Sequence, residues 1–68
     1  MSMTIRYKVV GGREGEELRA TEADALESLE KVLDTYLQRG HHVSHLDNEY
    51  VIEDSGGQLV ATYELLHH

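Results

Sequence analysis

Thr21 to Gly40 reads as one complete helix with a start signal, an apolar stripe and a stop signal. Thr21 is a good N-cap, because its hydroxyl can accept from a free amide of the first turn. Asp24 follows three residues on, close to a capping box. Glu22 and Asp24 also complement the positive end of the helix dipole. Ala25, Leu26, Leu29, Val32, Leu33, Tyr36 and Leu37 recur at three- and four-residue spacings, which makes one apolar face. Glu27 and Lys31 form an i,i+4 pair in the favourable order. Arg39 suits the negative end, and Gly40 can adopt the left-handed conformation that ends a helix. One amphipathic helix needs one apolar layer to cover, and the flanking segments supply a sheet.

In the first segment Met3, Ile5, Tyr7 and Val9 alternate with Thr4, Arg6 and Lys8, the pattern of a half-buried strand. Gly11 to Gly15 is a turn by composition. Residues 16–20 carry Leu18 and Ala20 on one side and Glu17 and Arg19 on the other, a short second strand. After the helix, Gly56-Gly57 separates Tyr50–Glu53 from Leu59–Leu65. A two-residue loop there pairs Ile52 with Ala61 and Tyr50 with Tyr63, placing Tyr50, Ile52, Leu59, Ala61, Tyr63 and Leu65 on one face. A three-residue loop mixes the faces, so the pattern favours the two-residue turn. His41 to Asn48 does not alternate cleanly, and Asp47-Asn48 reads as a bulge or bend. The expected fold is α+β: a two-layer β-β-α-β-β unit over residues 1–68, with one helix on one face of a four-stranded antiparallel sheet.

Thirteen acids against six bases give a formal charge of −7. That balance opposes binding to nucleic acid or anionic lipid, which needs clustered Lys and Arg. No apolar run approaches the ~20 residues that span a bilayer. The first residues hold no apolar signal-peptide core and the chain has no cysteine, so the cytoplasm is the expected compartment. Without disulfides, so short a chain relies on one small core or on a partner chain, which favours a homodimer.

The opposite, helix-free sheet face is the first candidate site. Val10, Val51, Val60, Thr62 and Leu66 are its expected partner-contact residues. The histidines are the second. His41, His42 and His45 follow the helix, and His67 and His68 end the chain. The chosen register sets Leu46 opposite His67 and His45 opposite His68, a convergence from which imidazoles can bind Zn²⁺, Ni²⁺ or Cu²⁺. No nucleophile, base and orienting group fall into a motif, and Gly11 to Gly15 lacks the Gly-Lys-Ser/Thr ending of a phosphate loop. The expected role is therefore non-enzymatic and cofactor-free: a protein-interaction or regulatory module that self-associates through the helix-free face. A histidine-based metal binder is one alternative. The surplus of acid offers a second, an inhibitor that meets a basic partner or mimics nucleic acid, and the helix opening Thr21-Glu22-Ala23-Asp24-Ala25-Leu26-Glu27 resembles that of antitoxin domains, which implies an antitoxin-like form of it.

Overall fold

Alternation in the first segment places Met3, Ile5, Tyr7 and Val9 on one side of β1 (Met3–Val9), and the two deepest, Met3 and Ile5, are buried. The computed structural model describes residues 2–67. After β1 the chain forms β2 (Glu14–Arg19), α1 (Glu22–Gln38), β3 (His42–Leu46), β4 (Glu49–Glu53) and β5 (Leu59–His67). The sheet order is β2-β1-β5-β4-β3, and every neighbouring pair is antiparallel. The fold is thus α+β with one helix on an antiparallel sheet, as expected, but the sheet has five strands rather than four.

The helix caps follow the sequence closely. Asp24 N–H donates to Thr21 Oγ1 at 3.1 Å, and Thr21 itself is extended. At the other end His41 N–H donates to the Tyr36 carbonyl and Gly40 N–H to the Leu37 carbonyl, a Schellman motif. Gly40 has φ +85, and a Cβ there would meet nothing within 4 Å. Gly40→Ala therefore carries only the backbone penalty of the left-handed region. It is expected to lower unfolding free energy by about 1 kcal/mol, read by urea denaturation. Leu37 departs from the expected stripe: it is exposed, at the rim of the helix face.

Ala25 and Leu29 of α1 pack with Met3, Ile5, Ile52, Ala61, Tyr63 and Leu65 to form the core. Strand register sets one transverse aromatic row beneath the helix: Gly15, Tyr7, Tyr63, Tyr50 and His45 face one another in turn across all five strands. The Tyr7 and Tyr63 rings lie 6.1 Å apart, and His45 stacks on Tyr50 at 4.0 Å. A Cβ at Gly15 would stand 2.9 Å from the Tyr7 hydroxyl, so any larger residue there requires the Tyr7 ring to shift.

Two turns differ from expectation. Asp47 (φ 55) and Asn48 make a two-residue reversal that pairs Leu46 with Glu49, so residues 42–46 form a fifth strand instead of a bent approach to β4. In the β4–β5 hairpin the loop is the three residues Ser55, Gly56 and Gly57, not Gly56-Gly57 alone. Asp54 N–H donates to the Gln58 carbonyl, Gly57 N–H to the Asp54 carbonyl, and Gly57 takes φ +83. Asp54 Oδ1 accepts from both Gly56 and Gln58 amides, which ties the loop together. A bulge then shifts the register: Glu53 pairs with Leu59, but Ile52 pairs with Ala61. The extra loop residue and the bulge offset one another, so Ile52–Ala61 and Tyr50–Tyr63 pair as expected.

Candidate interaction surface

The helix-free face is assembled in rows by the same registers. Leu18, Thr4 and Leu66 form one row across β2, β1 and β5. The next runs Glu16, Arg6, Glu64, Glu49, Leu46. The third runs Glu14, Lys8, Thr62, Val51, Ser44. Glu53 and His42 oppose each other beyond it.

Charge divides this face. On the β2–β1 side Glu16 stands opposite Arg6 and Glu14 opposite Lys8. On the β4–β5 side Glu49 stands opposite Glu64, with Leu46 as its other neighbour. Directly opposed like charges destabilise a sheet. Arg6 compensates Glu64 in part, at 3.6 Å, but the pair is well exposed and contributes at most about 1 kcal/mol. The face holds five glutamates (14, 16, 49, 53, 64) against Arg6 and Lys8.

The bulge decides where the aliphatic residues lie. Leu59 was expected under the helix but is exposed, and it lines a hollow of about 560 Å³ with Lys8, Val10, Gly12 and Thr62. Val60, expected on the open face, is half-buried and packs against the core cluster. Its carbonyl accepts from Val10 N–H at 2.9 Å, which extends the β1–β5 ladder to the hollow's rim. Val10, Val51, Thr62 and Leu66 do lie on the helix-free face. Leu18, Leu46 and Leu59 join them there, all exposed. Leu18 and Leu46 could have been found from alternation once β2 and β3 were placed. Leu59 depended on the bulge, which no residue type announces.

Among the described residues the histidines do not converge. The reversal at Asp47-Asn48 turns β3 away, so β4 lies between β3 and β5, and His67 pairs with Met3 instead of approaching Leu46. The expected pairing of His45 with His68 involves a residue outside those described. His41 sits edge-on to Tyr36 at 5.6 Å, behind the helix C-cap. His42 belongs to the helix-free face, while His45 stacks on Tyr50 and bonds through Nε2 to the Asp47 carbonyl. Among the described residues no group of three His, Cys, Asp or Glu lies close enough to hold a metal ion.

A smaller hollow of about 170 Å³ opens between α1 and the β1–β2 hairpin, with Arg13, Glu17, Ser28 and Tyr63 on its wall. Ser28 Oγ accepts from Arg19 Nε at 3.1 Å, and Arg19 Nη2 pairs with Glu17 at 2.8 Å. A serine paired to a guanidinium has no base to activate it. These bonds pin the hairpin to the helix. Burial, and then a hydrogen bond with Tyr36, push the Tyr63 hydroxyl up to about 12. Among the described residues no helix is long and apolar enough to cross a membrane. No family model, curated protein or solved structure matches this chain.

Proposed function

We propose that this chain is a non-enzymatic protein-interaction module whose helix-free face docks a basic, partly apolar protein surface. The observation that carries the proposal is the confrontation of Glu49 with Glu64, with Glu53 two rows further along the same face, near an aliphatic-edged hollow. That arrangement costs stability in the free chain and is relieved by a partner's Lys or Arg. The hollow between Val10 and Leu59 offers room for an apolar anchor side chain of the partner. The same charges disfavour a second copy on this face, because isologous docking doubles a five-to-two excess of acid over base.

A photo-crosslinking residue at Thr62, used in the native cell, tests the reading. It is expected to trap a basic partner, and trapping should fall steeply with added salt. The variant Glu49→Gln with Glu53→Gln should lose about tenfold or more of that binding. Its unfolding free energy should nevertheless stay level or rise by a few tenths of a kcal/mol as the like-charge contact goes. Equal trapping by wild type and variant, or trapping of an acidic partner, sinks the proposal.

A further inference from the structure

We propose that β3 is a self-recognition edge: two copies of this chain pair through it, antiparallel about a two-fold axis at Ser44, into one continuous sheet. This inference goes beyond the face described above and uses a different surface.

A strand paired on one side leaves alternate N–H and C=O groups pointing to the open side, ready to pair with another strand. The sheet has two such edges, β2 and β3. They are defended very differently. β2 carries Glu14, Glu16 and Glu17 within six residues. Copy-to-copy pairing of β2 would set glutamates opposite or beside glutamates, which is unfavourable. β3, with the sequence His-Val-Ser-His-Leu, has no Asp, Glu, Lys, Arg or Pro to block it. His42, Ser44, His45 and Leu46 are all exposed.

Symmetric pairing centred on Ser44 sets His42 opposite the partner copy's Leu46 and Val43 opposite its His45. No like charges meet in that register at neutral pH. An exposed apolar side chain lies on the same strand: Leu46, which ends β3, is 76% exposed. A two-fold axis at Ser44 closes the assembly, whereas β2-to-β3 pairing would propagate without closing. A five-residue ladder with one exposed leucine per copy falls short of the ~1,200 Å² of a standard stable interface, so the dimer is weak and dissociates on dilution.

The absence of cysteine makes the test direct. Ser44→Cys introduces one thiol at the axis and is expected to give a disulfide-linked dimer under mild oxidation. Glu17→Cys on the opposite edge should stay monomeric. In sedimentation over a dilution series, wild type should show a concentration-dependent dimer, and Ser44→Lys should weaken it more than about tenfold by opposing like charges. Mixing Ser44→Lys with Ser44→Glu should restore a mixed dimer, which a misfolded variant cannot do. Glu49→Gln with Glu53→Gln should leave the dimer intact, so loss of partner docking and loss of pairing are separable. A chain that is monomeric at every concentration, a dimer that survives Ser44→Lys, or equal cross-linking through Glu17→Cys overturns the inference.

Discussion

Leu29→Ala is expected to lower the thermal midpoint by about 12–24 °C. Leu29 is 2% exposed and is one of the two largest fully buried side chains. Truncating a buried leucine removes its transfer free energy and leaves a cavity, together about 2–5 kcal/mol. The site argues for about 3 kcal/mol within that range. The hollow beside Leu29 already reaches Ile5, Val32 and Tyr63, and its wall includes Arg13, Glu17 and Ser28. The enlarged space is therefore open to water at its polar mouth, which limits the cavity penalty. A domain of this size holds only ~3–10 kcal/mol in total at ~0.05–0.15 kcal/mol per residue. A loss of that order brings it close to unfolding at growth temperatures. Leu37→Ala, on the same helix but exposed, should shift unfolding by less than about 0.5 kcal/mol. Circular dichroism melts of the two variants decide the matter. Equal midpoints would mean that the helix is not held on the sheet by this stripe.

The contrast between these two leucines shows where sequence periodicity is informative. The stripe of α1, its Thr21 cap and its Gly40 stop were legible because capping and amphipathic spacing are local. The alternation of β1, β4 and β5 was legible for the same reason, and it placed Val51, Thr62 and Leu66, with Val10 just past β1, on the open face. β3 was not legible. As an edge strand it sends only Val43 against the core, so no alternation of apolar residues marks it. Its entry into the sheet depends on Asp47 taking φ 55, a conformation that Asp and Asn tolerate but do not enforce. The exchange of Leu59 and Val60 was hidden too. A third loop residue and a compensating bulge preserve the register of Tyr50 and Ile52 while reversing the faces of the two residues nearest the turn. The hollow of the candidate docking surface sits at that bulge, so its position came from backbone geometry, not from composition. The expected histidine convergence failed for a related reason. It extrapolated the β4–β5 ladder back past Asn48, although β4 begins only at Glu49 and the residues before it belong to a reversal that leads away from β5.

Raising the pH from 10 to 12 is expected to remove about 1–2 kcal/mol of stability that belongs to Tyr63 alone. The Tyr63 hydroxyl is held up to about 12 in the folded chain, first by burial and second by its hydrogen bond with Tyr36. In the unfolded chain a tyrosine titrates near ~10. The folded state therefore keeps this proton longer than the unfolded state does. Its contribution is complete below pH ~10 and is lost as the pH climbs towards ~12, because ionisation then favours unfolding. Two pH units of separation correspond to about 2.7 kcal/mol, and partial hydration of the hydroxyl reduces that figure. Tyr63→Phe separates the linkage from simple loss of packing. It keeps the ring that faces Tyr7 at 6.1 Å and removes only the hydroxyl. At neutral pH the variant should lose about 1 kcal/mol with the hydrogen bond to Tyr36. Between pH 10 and 12 its urea midpoint should then fall less steeply than that of wild type. Parallel curves for the two proteins across that interval would show that the alkaline loss arises elsewhere and that the Tyr63 hydroxyl is not the group the folded state protects.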